Sequence, residues 1–144
     1  MRLRRTAAAV LTILGVTAGV VGMGAPAYAD KTWTQSGCTL RAVAPYYYRS
    51  GNTKNFVART SLSCQYKQPS IKVKIILYQY RALNNWSAKK TNELRANSVS
   101  TASVAATWRC SGGTQTYRAY AQAWWGRNDE YSKSGWGESV RLTC

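Results

Sequence analysis

The sequence predicts an all-β exported protein: an antiparallel β-sandwich of about seven strands with two disulfides, preceded by a cleaved signal peptide. Three observations predict it. Apolar and polar residues alternate over several short stretches, and no stretch repeats with a helical period. Four cysteines, Cys38, Cys64, Cys110 and Cys144, make an even set in a small chain. The N-terminus carries Arg2, Arg4 and Arg5, an apolar stretch over 7–21, and Ala27-Tyr28-Ala29 just before Asp30. A charged anchor, a short apolar segment and small residues for the peptidase together mark a secretory leader.

Cleavage after residue 29 of 144 leaves 115 residues, the size of one domain over 30–144. No stretch of 30–144 approaches the ~18 continuous apolar residues of a membrane span. The Arg4-Arg5 pair raises twin-arginine export, but Thr6-Ala7-Ala8-Ala9 follows it and nothing suggests a cofactor folded before export, which favours the ordinary unfolded route.

Residues 38–46 place Cys38, Leu40, Ala42, Ala44 and Tyr46 on one side, and residues 56–64 place Phe56, Ala58, Thr60, Leu62 and Cys64 on the matching side. Folding them about Gly51 sets Cys38 opposite Cys64, Leu40 opposite Leu62, Ala44 opposite Ala58 and Tyr46 opposite Phe56. A cross-strand pair lies within disulfide reach, so Cys38 should bond Cys64. A strand follows over 71–80, with Ile71, Val73, Ile75 and Leu77 on one side and Lys72, Lys74, Ile76, Tyr78 and Tyr80 on the other. Residues 83–90 add a short strand; 93–100 is the least readable stretch and suits a short helical turn.

Gly112-Gly113 supplies the positive-φ pair of a two-residue hairpin turn. About it Trp108 falls opposite Tyr117, Ala106 opposite Ala119, Val104 opposite Ala121 and Ala102 opposite Ala123. The reverse face carries Ala105, Thr107 and Arg109 with Arg118, Tyr120, Gln122 and Trp124, and should be wetter. A loop over 126–135 leads to a final strand in which Trp136, Val140, Leu142 and Cys144 share a side. Elimination pairs Cys110 with Cys144. A flat meander would hold them ~9.5 Å apart, too far for a bridge, so the last strand must lie beside the strand over 99–110 or in the facing sheet. The Cys, Trp and Cys spacing of an immunoglobulin domain is missing.

Charge is the next constraint. Of 20 Lys and Arg, three lie in the leader, leaving 17 bases against five acids and a net charge of +12. Such a balance favours an anionic cell-surface polymer, an anionic membrane surface or an acidic protein partner, although the bases are dispersed and also serve solubility. Nucleic acid is not an expected partner. Aromatic side chains beside cations provide large contact at little entropic cost. Lys72, Lys74 and Tyr78 fall on one strand face, and Arg118, Tyr120 and Trp124 on another. With Trp33 and Arg127 these are the candidate partner-binding residues, and the competing role for each ring is packing on the second sheet.

Chemistry is sparse. The chain has no histidine, so histidine-based triads, dyads and metal sites are excluded. The separated single cysteines do not suit zinc. Asp129 and Glu130 are loop neighbours, and Asp30 heads the mature chain, so a glycosidase pair would have to join Glu93 or Glu138 to the loop acids. Local salt bridges to Arg127, Lys133 or Arg141 are the commoner role. No S-x-x-K or G-x-S-x-G motif marks a nucleophile. The expectation is no enzyme, no metal and no cofactor.

The Ala-rich leader ending at Ala27-Tyr28-Ala29, the turn Trp108-Arg109-Cys110-Ser111-Gly112-Gly113 and the terminal strand over 136–144 resemble small secreted disulfide-linked β-sandwich proteins of actinobacteria. Among these the chain is similar in build to the adaptor subunit of umbrella toxin particles. That resemblance implies a noncatalytic protein joining larger secreted subunits, with the segment over 30–37, including Trp33, as an inserting anchor. The expected function is thus a secreted interaction module acting as an adaptor. A basic antimicrobial or wall-binding protein and a secreted enzyme inhibitor using the loop over 126–135 are the alternatives.

Overall fold

The computed structural model describes residues 30–144; the signal peptide expected over 1–29 lies outside them. Seven strands run in order: β1 (Lys31–Gln35), β2 (Cys38–Ser50), β3 (Thr53–Ala82), β4 (Asn85–Arg109), β5 (Thr114–Trp125), β6 (Tyr131–Trp136) and β7 (Val140–Thr143). All pairings are antiparallel.

One long hairpin, β3 with β4, runs through both layers of the sandwich. Its first layer joins β1, β2, the first half of β3 and the second half of β4. Its second layer joins the first half of β4, the second half of β3, and β5, which is flanked by β6 and β7. The β3/β4 ladder is interrupted between Ser63 and Gln68. Across that break the buried residues of β3 change from even (Phe56, Ala58, Thr60, Leu62) to odd (Ile71, Val73, Ile75, Leu77). A shift of one residue swaps the faces of a strand, so the break lets both halves keep their apolar side inward.

The core forms where the layers meet. Phe56 of the first layer packs on Tyr117 of the second at 4.4 Å between ring centroids, and both are fully buried. Buried Thr60 donates to the Arg41 carbonyl at 2.9 Å, so its hydroxyl is not orphaned. Each fully buried Leu, Ile or Phe contributes about 1.5–3 kcal/mol. The two bridges have different roles. Cys38–Cys64 staples the β2/β3 ladder at the predicted register, whereas Cys110–Cys144 ties the end of β4 in one layer to the end of β7 in the other.

Several expectations need correction. Pro45 cannot donate to a ladder and sits in a bulge between Val43 and Tyr46, so Tyr46 opposes Val57 and Tyr47 opposes Phe56. Ala44 falls inside the bulge and stays buried, whereas Tyr46 points away from the core with 38% of its surface exposed. The Gly112-Gly113 hairpin does not form. Trp108 pairs with Phe56 and Ala106 with Ala58 on β3, while β5 pairs with β3, β6 and β7. Gly112 and Gly113, at φ +82° and +74°, instead carry the chain from one layer to the other. The face assignment survives the changed partner: Ala102, Val104, Ala106, Tyr117, Ala119, Ala121 and Ala123 are buried.

The strand expected over 83–90 forms but is longer, and 93–100 is strand rather than a helical turn. Leu83 and Asn84 make a tight turn at φ +49° and +60°, and β4 then runs unbroken to Arg109. The segment expected as a loop over 126–135 is one short 3-10 turn (Arg127–Asp129) followed by β6. Trp136 ends β6 and is not part of the last strand. The segment over 30–37 is not a free extension: Ser36 and Gly37 turn β1 back onto β2.

Candidate functional site

Alternation along β3, β5 and β6 turns one residue of every two outward from the second layer. Because three adjacent strands carry large residues at matched positions, those side chains meet. Tyr78 lies opposite Arg118, Ile76 opposite Tyr120 and Lys72 opposite Trp124; Tyr120 lies opposite Trp136, and Tyr80 opposite Trp86. The rings form a connected layer. Trp136 contacts Tyr120 at 4.7 Å and Tyr78 at 5.0 Å between centroids, and Trp86 meets Tyr80 at 5.3 Å. The Tyr120 hydroxyl hydrogen-bonds Ser134 at 3.0 Å.

Arg118 sits at the centre. Its guanidinium carbon is 3.9 Å from the Trp86 ring centre and 3.7 Å from that of Trp136, a cation between two indoles. Its Nε is shut from solvent with no hydrogen-bond partner. Burial lowers the Arg118 pKa from its ordinary value, with a smaller opposing influence from Tyr78. At the rim, Lys72 Nζ lies 5.0 Å from the Trp124 ring centre and 3.7 Å from Glu93.

Lys72, Lys74, Tyr78, Arg118, Tyr120 and Trp124 therefore share this face, as alternation places them. The other two candidates lie apart. Trp33 is on β1, its indole pressed against Gly135 so closely that no Cβ fits there, which seals β1 onto β6. Arg127 is in the turn after β5, where its amide donates to Glu130 at 3.3 Å. Trp86 and Trp136 complete the site but were not among the candidates. A tight turn at Leu83-Asn84 alone would set Trp86 opposite Arg81; a register shift between Tyr80 and Ala82, which no sequence signal marks, brings Trp86 to Tyr80.

The acids are engaged within the chain. Asp30 pairs with Arg41, Glu138 with Lys31 at 2.7 Å, Glu93 with Lys72 and Asp129 with Arg95 at 2.6 Å; Glu130 accepts from the Arg127 amide. The hydrogen bond from Arg95 holds the Asp129 carboxyl below the usual carboxylate range. These bridges do form, but with other partners than the expected Arg127, Lys133 and Arg141. Of 17 bases in 30–144, four pair with carboxylates, so thirteen do not among the described residues. No group of three metal-ligating side chains occurs among the described residues. What the face can do chemically is present flat rings and fixed positive charge.

No family model matches the chain, and no curated protein does. A solved structure of the C-terminal domain of wzt is similar at 9% identity and a TM-score of 0.47, over 83% of this chain and 81% of that one.

Proposed function

We propose that the mature chain is a noncatalytic secreted interaction module, most concretely an adaptor subunit of an extracellular toxin-like assembly, and that it docks through the outer face of its second layer. The observation carrying this reading is the Trp86–Arg118–Trp136 stack, held among Tyr78, Tyr80 and Tyr120. Trp, Tyr and Arg are the residues enriched among the hot spots of protein interfaces. Two disulfides fit an oxidising compartment such as the extracellular space.

Attraction to an anionic wall polymer is the second reading, favoured by the thirteen bases without a carboxylate partner. Native purification of the tagged protein from culture supernatant separates the two. An adaptor retains stoichiometric secreted proteins through a high-salt wash, whereas a polyanion binder releases its ligand as salt screens exposed charge. A lone monomer in both washes would contradict the adaptor reading.

A further inference from the structure

We infer that Arg118 is a preformed receptor for a carboxylate, and that the partner seats an Asp or Glu side chain on it. The inference rests on the docking face proposed above and names what that face recognises. Among the described residues three cations lie over aromatic rings, and two of them have an oxygen partner of their own. Lys54, over Tyr47, donates to the Thr143 carbonyl at 2.8 Å, and Lys72, over Trp124, pairs with Glu93. The Arg118 guanidinium makes no hydrogen bond and no ion pair among the described residues, although two rings lie against it and one against each of the others.

Both flat faces of its guanidinium are covered by indoles. The N–H groups lie in the guanidinium plane, so the stacks leave its edge as the place to meet a carboxylate through two parallel N–H bonds. The two stacks also restrain the side chain before a partner arrives, so little freedom is lost on binding. Arg118 is half-buried, with its Nε shut from solvent and without a partner, and the chain's five acids are all engaged elsewhere. A carboxylate on this guanidinium would therefore come from another molecule. Its carboxylate would find Tyr78 and Tyr120 beside the stack, with the Ser134–Tyr120 hydroxyl pair at the rim.

The test is titration with hexaglutamate at about 0.15 M salt, followed by calorimetry and tryptophan fluorescence, with oligoglucuronate and inorganic phosphate in parallel. The expected result is preferential binding of hexaglutamate, weakened at least tenfold by Arg118→Gln and nearly as much by Arg118→Lys, which keeps the charge but loses the planar fork. Arg127→Gln, which removes the same charge at a distance, should change affinity less than twofold. Equal losses in Arg118→Gln and Arg127→Gln would overturn the inference, as would tighter binding of oligoglucuronate or phosphate. Should the Arg118 variants fold poorly, the Arg118 Nε–H resonance of the wild type must shift as hexaglutamate is added; an unmoved resonance overturns the assignment. The two proposals fail separately. If Arg118→Gln retains the stoichiometric partner from supernatant, the carboxylate receptor fails and the docking module stands; if the wild type captures no partner but binds hexaglutamate through Arg118, the module fails and the receptor stands.

Discussion

The two outer faces of the sandwich arise from the same alternation, yet only one is organised. On the first layer Tyr46 and Tyr48 flank a shallow hollow with Val57, Arg59, Ala105 and Thr107, and Tyr48 is 53% exposed. The neighbours of these tyrosines across β3 and β4 are mostly small, so the rings gain few contacts. On the second layer, large residues occupy matched positions on three strands and the turn-linked Trp86, and each ring holds the next. Trp86, Tyr78, Tyr80, Tyr120 and Trp124 are accordingly half-buried, although Trp136, which touches Tyr78 and Tyr120, stays as exposed as Tyr46. An aromatic residue becomes a binding determinant when its neighbours fix it, and that depends on strand order more than on composition.

The largest change should come from the bridge that joins the layers. Replacing Cys110 and Cys144 by alanine opens a 34-residue separation and should cost about 3–4 kcal/mol in a chain-entropy account, read by guanidinium unfolding. Partner affinity of the folded fraction should hold, since both faces lie within single layers. Next, Trp136→Ala removes the ring touching Arg118, Tyr78 and Tyr120. Partner affinity should fall about a hundredfold, on the scale of interface hot spots, as measured by surface-captured binding to the isolated partner. The matching change on the other face, Tyr48→Ala, should alter affinity by less than about twofold, because an exposed, loosely held ring is energetically near-neutral.

Smallest is the effect of acid. Arg95 depresses the folded pKa of Asp129 below its unfolded value of about 3.9. The stability this carboxylate contributes is complete well above that pH and is lost as pH falls through the folded pKa. Asp129→Asn should therefore give a protein slightly less stable at neutral pH and correspondingly less sensitive between about pH 5 and pH 2, as followed by unfolding curves over that range. Unchanged acid sensitivity would show the pair to be energetically idle.

Much of this was legible because strand alternation is a local property. The inward residues of β2, β3 and β5 follow from period two, and the Cys38–Cys64 register follows from a short hairpin. What failed was partner choice. Gly112-Gly113 has the residues of a hairpin turn, but β3 is long enough to pair both β4 and β5, and local turn chemistry carries no information about that competition. Pro45 marked a bulge that periodicity alone misses, and Tyr46 moved outward with it. The site was read strand by strand: Lys72, Tyr78, Arg118 and Trp124 were placed on outward faces, but that those faces adjoin is a consequence of the β3/β5 ladder. Trp136 was assigned to the wrong strand because Gly137 and the break before Val140 look like continued alternation.

The central claim is that the second layer's outer face is the one that docks. Covalent footprinting of the complex isolated from supernatant, compared with the free protein, tests it most directly. The account predicts strong protection of Trp86, Trp124 and Trp136, with Tyr48 and the 77% exposed Tyr66 labelled as in the free chain. Protection of Tyr48 and Tyr66 with unchanged labelling of the three tryptophans would contradict it.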